Sequence, residues 1–199
     1  STETPLERFS AGTTSAIALS GADFLSLGDV SGQEVLQSDS SVWGMIFRVD
    51  QEPFSSLQLR RALFLDGDFS TMEAALPDYY ERAQAVISKN VLLNGESYRG
   101  MVGENLMPAI DRSAALEAYN AGVKEVSGDS LTGIRLIVPE GYGHEENFAY
   151  LSQIWQRDFG LYLKVETLDQ DTYQSRLAAG DYECALISLS GSSPSAVLE

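Results

Sequence analysis

The chain has 199 residues, and its 29 acidic against 13 basic side chains give a formal net charge of −16. Hydrophobic residues make up 44% and charged residues 21%, a composition typical of a globular protein and not of a disordered or fibrous chain. Because such an acidic chain repels phosphate backbones and anionic lipids, we expect neither a nucleic-acid partner nor a polybasic membrane contact.

The ends of the chain and its cysteine content suggest a segment of a longer protein with a structural cysteine. No stretch approaches the roughly 20 apolar residues that a membrane-spanning helix needs. The chain opens at Ser1 without a signal peptide and closes on an apolar step at 196–198, so we expect a segment of a longer protein. Cys184 is the sole cysteine, and its strand-like neighbours predict a buried core residue instead of a reactive thiol.

The first half of the chain predicts a strand followed by short helices. Residues 1–40, rich in Ser, Gly and Thr, predict a lead-in strand, a short helix and loops. The apolar run 42–49 predicts a strand between turn-forming residues. Ser55 and Ser70 each precede a Gln or Glu by three residues, the pattern of a helix capping box, so each predicts the start of a helix.

The segment that follows has weaker signals. Residues 79–88 predict a further helical stretch, and the glycines within 94–103 predict a loop. Asp111 or Ser113 opens the next predicted helix, with Gly122 placed as the residue just past its end.

From residue 133 onward, strands and helices alternate. Apolar residues at helical spacing within 148–159 predict a helix that ends at Gly160, and Asp169 caps a second predicted helix that ends at Gly180. The predicted strands are 134–138, 161–165 and 185–187. Strands joined by helices form right-handed crossovers, so we expect an α/β lobe with a largely parallel or mixed sheet flanked by helices.

The loops beyond the carboxyl ends of these strands predict a ligand site, because open α/β sheets bind ligands there. The loops 139–144, 167–170 and 188–194 carry aromatic, amide and hydroxyl groups, as a cleft for a polar organic molecule does. Plain connecting turns are the alternative. We predict that one aromatic residue stacks on the ligand and that the others form hydrogen bonds, the six being Tyr142, His144, Gln170, Ser188, Ser190 and Ser192.

No pattern in the sequence requires an enzyme. His144 is the sole histidine, which excludes a multi-histidine metal site and leaves a solvated surface position as the alternative to ligand contact. The chain has no Walker A loop, no dinucleotide-binding glycine motif and no nucleophile elbow at the serines of 188–193. We therefore expect a non-enzymatic protein without metal or cofactor, with a hydrolase that uses the same loops as the less favoured alternative.

Several short motifs in consistent order resemble the family 5 extracellular solute-binding proteins, the dipeptide- and oligopeptide-binding receptors of ABC importers. Residues 47–54 read FRVDQEPF, and LRRAL follows at 59–63. A predicted helix ends in Asn-Ala-Gly at 120–122. Farther on, GLYLKVE at 160–166 precedes Ala-Gly-Asp-Tyr at 179–182, similar to the closing run of the family's second lobe.

The resemblance implies one lobe of a clamshell, periplasmic-binding-protein-like receptor. Residues 1–40 would be a lead-in or hinge-side segment, and 41–199 the ligand-binding lobe. It implies capture of a peptide in the periplasm or outside the cell and delivery to the transmembrane subunits of an ABC permease, with an upstream lipid anchor as the membrane attachment. A sensor domain of the same fold, and a binder of oligosaccharide or another solute, are the alternatives.

Four positions depart from the family pattern. Arg48 stands at the family's strand-end Asn, and Gln170 at an aligned cleft aromatic. Ser190 stands where peptide binders carry an Asp that pairs with the ligand's α-amino group, and a neutral hydroxyl cannot form that ion pair. Near Gly141, where some dipeptide binders place an arginine for the ligand carboxylate, His144 alone is close.

Overall fold

The computed structural model describes residues 4–18, 41–75, 80–103, 107–142 and 144–190. The chain divides into two compact units, the smaller formed by 1–37 with 76–80 and the larger by 38–75 with 81–199. None of the helices in the described ranges combines the length and the apolar character that crossing a bilayer requires.

The described part of the smaller unit contains helix α1, Pro5–Ser10. Its capping box is formed by Thr4, whose hydroxyl accepts from the backbone N–H of Glu7 at 3.2 Å while the Glu7 carboxylate accepts from the backbone N–H of Thr4. Of the lead-in strand, short helix and loops predicted within 1–40, the part at 19–40 lies outside the described residues, and the described residues 11–18 form no strand.

The larger unit alternates strands and helices along most of its length. In chain order its described elements are β1 Val42–Phe47, α2 Leu57–Leu65, α3 Phe69–Ala75, β2 Leu92–Leu93, β3 Glu96–Ser97, α4 Tyr98–Val102, α5 Arg112–Gly122, a 3₁₀ helix Gly128–Leu131, β4 Ile134–Pro139, α6 Glu145–Phe159, β5 Leu163–Leu168, α7 Gln170–Ala179 and β6 Cys184–Leu189.

Four of the strands form one mixed sheet in the order β1-β6-β4-β5. Strand β4 runs parallel to both β5 and β6, whereas β1 pairs with β6 in the antiparallel sense. The predicted α/β sheet is therefore confirmed as a mixed sheet. Because successive side chains of a strand point to opposite faces, β4 needs cover on both sides of the sheet.

One face of the sheet carries the larger core. Leu136 and Val138 of β4 pack in the same cluster as Trp155 of α6 and Leu63 of α2. The buried Trp155 indole donates its N–H to the carbonyl of Leu63 at 3.1 Å, so the largest core side chain also has its polar atom satisfied. Cys184, fully buried in this cluster, confirms the prediction of a core residue.

The opposite face packs against α7. Ile137 of β4 and Ala185 of β6 are in contact with Tyr173 of α7, and all three side chains are buried. The Tyr173 hydroxyl donates to the carbonyl of Leu186 at 2.5 Å. Helices α6 and α7 thus cover opposite faces, as right-handed crossovers between β4, β5 and β6 require.

Helix signals in the second half of the sequence are confirmed. Gly160 and Gly180 follow α6 and α7 in the left-handed conformation, with φ of 71° and 65°. Asp169 caps α7, since its carboxylate accepts from the N–H of Thr172 at 3.0 Å. Strand β5 begins at Leu163, two residues later than predicted.

The capping predictions for α2 and α3 are wrong by one or two residues. The cap of α2 is Ser56, whose hydroxyl accepts from the N–H of Leu59 at 3.2 Å, and not Ser55. Before α3, Asp68 and not Ser70 takes the capping position, because its carboxylate accepts from both the N–H and the hydroxyl of Thr71. In both places a helix begins close to the predicted start, but the side chain that satisfies the helix end lies one residue after the predicted one at α2 and two residues before it at α3.

The segment between α3 and α5 differs most from prediction. Residues 80–88 form no helix, contrary to the helical stretch predicted there. Asn94 and Gly95, with φ of 54° and 84°, make the hairpin turn between β2 and β3. The predicted loop at 100–103 is mostly helix α4, because Ser97 caps it by accepting from the N–H of Gly100.

Helix α5 confirms Asp111 as its cap but not Gly122 as the residue beyond its end. Gly122 is the last helical residue and is buried where α5 packs on α2. A Cβ atom at this position would lie 2.8 Å from the backbone nitrogen of Leu59. The glycine is therefore required by the close approach of two helices.

We predict that Gly122→Ala lowers the free energy of unfolding by about 1–3 kcal/mol, although alanine is the better helix former, because the added methyl overpacks the α2–α5 contact. Urea denaturation measures this change. Gly100→Ala is the matched control, since a Cβ there meets the Ser97 side chain at an ordinary 3.6 Å. Equal stabilities of the two variants would contradict the close-approach argument.

Asp66, at the end of α2, is a buried carboxyl. Its side chain is only 2% exposed, and the nearest ion pair, to the Arg112 Nε, spans 3.9 Å. Burial, reinforced by repulsion from Asp158, raises the pKa of Asp66 to about 6, while Arg112 and Arg157 oppose the rise only in part. The ionised form of Asp66 is therefore unfavourable in the folded protein.

We predict that Asp66→Asn stabilises the protein at pH 7 by about 2 kcal/mol relative to the unsubstituted chain. The folded-state pKa lies above the unfolded value of about 3.9, so the contribution of the carboxyl to stability is complete below pH 4 and is lost as the pH rises through 6. Denaturation curves between pH 4 and 7 measure it. Asp129→Asn removes the same charge from an exposed position, and parallel profiles for all three proteins would refute the prediction.

Candidate functional site

The carboxyl ends of three parallel strands meet at one edge of the sheet, which we call the carboxyl edge. Strands β4, β5 and β6 end there at Pro139, Leu168 and Leu189. Strand β1 is antiparallel to β6, so its first residues reach the same edge, and Trp43 lies opposite Ser188. The carboxyl edge is the expected place for a ligand in an open α/β sheet.

An open depression of about 700 Å³ lies at this edge and is lined by Glu140, Gly141, Tyr142 and Gln170. The backbone N–H of Glu140 donates to the carbonyl of Leu168 at 2.9 Å, which ties the loop after β4 to the end of β5. Gly141, with φ of 87°, turns the chain between them. The depression is thus shaped by backbone contacts between two neighbouring loops.

Three rings form an aromatic cluster beside the depression: Trp43, Tyr142 and His144. The Trp43 ring centroid lies 4.7 Å from that of Tyr142 and 4.9 Å from that of His144, in tilted arrangements that aromatic pairs favour. Tyr142 is 43% exposed, whereas Trp43 is half-buried. Tyr142 therefore offers its ring to the depression while Trp43 supports it from the sheet.

His144 takes the N-cap position of α6 and is buried. This burial contradicts the alternative of a solvated surface histidine. Its ring contacts Trp43, and its carbonyl accepts from the N–H of Phe148 at 3.2 Å at the start of α6. The structure makes His144 a neighbour of Trp43, and its contact with a ligand stays a prediction.

The remaining predicted residues spread along the carboxyl edge. Gln170, the first residue of α7, is exposed and shares the depression with Tyr142. Ser188 and Ser190 are exposed at and just past the end of β6. Ser192 lies outside the described residues. Of the six predicted residues, the structure brings Tyr142 and Gln170 together at the depression.

Sequence reasoning missed two residues of the carboxyl edge, Trp43 and Glu140. The position of Trp43 depends on the antiparallel pairing of β1 with β6, which no local pattern reports. Glu140 was inside the predicted loop, but its carboxylate was not distinguished from the many exposed acids of the chain.

Arg48 lies at the opposite edge of the sheet. Its backbone N–H donates to the carbonyl of Glu183, and its guanidinium pairs with Asp50 at 2.8 Å and donates to the carbonyl of Gly180. The pKa of Asp50 is lowered by that hydrogen bond. Arg48, which departs from the family pattern, therefore acts in a network away from the depression.

That opposite edge holds a larger set of ion pairs. Arg135 of β4 pairs with Glu183 and with Asp181, each at 2.9 Å, and its backbone N–H also donates to the Glu183 carboxylate. Arg176 of α7 joins Asp181 to Glu166 at 3.0 and 2.8 Å. Charge pairs thus join the start of β4 and the segment before β6 to α7, which is tied in turn to Glu166 within β5.

No family model and no curated protein sequence matches this chain. Its fold is similar to those of solved peptide-binding proteins. Listeria monocytogenes OppA bound to peptide is 19% identical with a TM-score of 0.65, over 81% of this chain and 33% of that protein. Haemophilus influenzae OppA in complex with RPPGFSPFR is 14% identical with a TM-score of 0.67, over 96% and 38%.

The Escherichia coli murein tripeptide binding protein MppA is 14% identical with a TM-score of 0.61, over 80% of this chain and 31% of that protein. The chain thus spans about a third of the length of these structures. At these identities the likeness establishes the fold, and the prediction of one lobe of a periplasmic-binding-protein-like fold is confirmed.

We predict that Trp43 and Tyr142 are energetically coupled. In a double-mutant cycle of Trp43→Leu and Tyr142→Leu, we expect a coupling energy of about 0.5–1.5 kcal/mol, because either substitution alone already removes the contact between the two rings. Urea denaturation of the four proteins measures it. The control cycle uses Tyr162→Leu, since Tyr162 is similarly exposed but precedes β5 at the other edge. Additive effects in the first cycle would refute the cluster.

Proposed function

We propose that this chain is one ligand-binding lobe of a non-enzymatic solute-binding protein that captures peptides for an ABC importer. The observation that supports this most is the depression at the carboxyl edge, where Tyr142 and Gln170 offer an aromatic face and an amide side by side. The similar fold of proteins described as peptide-bound adds support.

The chemistry of the depression suits an extended polar chain. The Tyr142 ring can pack against an apolar side chain or a peptide plane, and the Gln170 amide can donate to a carbonyl and accept from an N–H. The depression is open, so a second lobe closing over it by a hinge motion would supply the remaining contacts. Delivery to permease subunits, in the periplasm or at the outer face of a lipid-anchored parent, belongs to the same proposal.

The lining residues favour binding over catalysis. Among the residues that the structure describes, they comprise one carboxylate, one phenol, one amide and one glycine, whereas covalent hydrolysis needs a nucleophile within reach of a base. The exposed serines at the end of β6 are not among the residues that line the depression.

We predict that peptides perturb the carboxyl edge of the 199-residue chain. In ¹H–¹⁵N NMR titrations with di- to octapeptides, the indole N–H signal of Trp43 and the amides of Gly141, Tyr142 and Gln170 should shift. The indole N–H of Trp155, buried and bonded to Leu63, should not. Because one lobe supplies about half of the contacts, we expect dissociation constants of roughly 0.1–10 mM.

Two comparisons make this titration decisive. Tyr142→Ala should abolish the peptide-induced shifts, whereas Tyr162→Ala, which truncates a similarly exposed tyrosine at the other edge, should leave them unchanged. Shifts with oligosaccharides but not with peptides would reject the peptide assignment and keep a solute-binding lobe. No shift with any solute would overturn the proposed function.

A further inference from the structure

We infer that the depression at the carboxyl edge binds a positively charged group of its ligand, an ammonium or a guanidinium, and not the ligand's carboxylate. This inference rests on the proposed function, because it specifies the class of ligand that the same site selects. It concerns four residues that the structure places around one opening, Glu140, Gly141, Tyr142 and Gln170.

Glu140 and Tyr142 together form a cation-binding pair. Both side chains line the depression and are exposed to it, with a single glycine between them in the chain. A carboxylate attracts a cation directly, and the face of a tyrosine ring attracts it through the ring quadrupole. The Glu140 backbone is held by its bond to Leu168, and the Tyr142 ring by its contact with Trp43, so the loop that carries both side chains is held in place at the depression.

The charges around the depression have one sign. Glu146, Asp169 and Asp171 are exposed on the two elements that flank it. The loops 139–146 and 167–172 contain no lysine or arginine. Along these two loops an anionic ligand group would therefore meet several carboxylates and no lysine or arginine, whereas a cation would be attracted by all of the carboxylates.

The helix ends at this edge do not reverse that preference. The amino end of a helix ordinarily attracts anions. At α7, however, the Asp169 carboxylate already accepts from the N–H of Thr172 at 3.0 Å and from its hydroxyl at 2.7 Å. The Asp169 carboxylate thus occupies the end of α7 where an anion would bind. At α6, the exposed Glu146 adds negative charge in the first turn.

Matched trialanine peptides separate the possible sources of charge. Two probes are cationic: the peptide amide with a free amino group, and the N-acetylated amide with lysine in place of the central alanine. The carboxylate probe is the N-acetylated peptide with a free carboxylate. The neutral probe is the N-acetylated amide of trialanine. We expect the two cationic probes to bind the 199-residue chain about three to ten times more tightly than the carboxylate probe, measured by NMR titration at low ionic strength. Comparing the affinities of the two cationic probes shows whether the site prefers a terminal ammonium or a side-chain cation.

Substitution of Glu140 tests the residue itself. Glu140→Gln should reduce the preference for cationic over anionic probes about threefold to fivefold, whereas Glu96→Gln, the same change at an exposed site on β3, should leave it unaltered. Equal reduction by both variants would mean that the net charge of −16 acts at a distance, and would overturn the inference.

The titration also separates failure of this inference from failure of the proposed function. Equal affinity for all four probes, or tighter binding of the carboxylate probe, would overturn the cation preference while peptide binding stands. Absence of shifts with every probe and with the longer peptides would overturn both.

Discussion

The architecture depends on β4, an apolar strand that is buried on both faces and paired in parallel on both sides. Five of its six residues are buried, and its side chains alternate between the α6 core and the α7 core. A strand that is buried on both faces requires helices on both sides of the sheet. The helical connections after β4 and β5 return the chain so that β5 and β6 run parallel to β4. The loops after the three strands then leave the sheet at one edge. The depression is a consequence of that parallel pairing, because Glu140 and Gln170 each follow the end of a neighbouring strand.

Local signals in the sequence were sufficient for the second half of the fold. The periodicity of α6, the glycines at 160 and 180 and the cap at Asp169 each correspond to a backbone requirement within a few residues. The local signals gave wrong predictions in 80–103. The segments there are short and carry little periodicity, and helix α4 depends on a single serine cap, Ser97. The cap of α2 was misplaced by one residue because Ser55 and Ser56 are equivalent in sequence and only the folded geometry shows which hydroxyl faces Leu59.

For the candidate site too, the sequence predicted the features that follow from strand order and missed those that depend on distant pairing. The structure places Tyr142 and Gln170 together as expected, because parallel strands bring their following loops to one edge of the sheet. Trp43 was not found, because its place at the carboxyl edge follows from an antiparallel pairing across more than 140 residues of chain. His144 was assigned to the site by its position in the loop, yet its ring is buried beside Trp43, which the pairing of β1 with β6 places at this edge. The structure thus adds to the site the partners that no local motif encodes.

The ion pairs of Arg135, Arg176 and Glu183 have a consequence for how such a lobe changes over evolution. They join β4, β5, α7 and the segment before β6, and their residues are distinct from the four that line the depression at the carboxyl ends of the strands. Mutations that change ligand specificity would therefore fall on exposed loop positions that contribute little to stability. A lineage built on this plan can exchange Glu140 or Gln170 for other side chains without first acquiring compensating mutations in the core. That separation gives a physical reason why lobes of one fold can differ in the ligand they select while the scaffold that carries the site is kept.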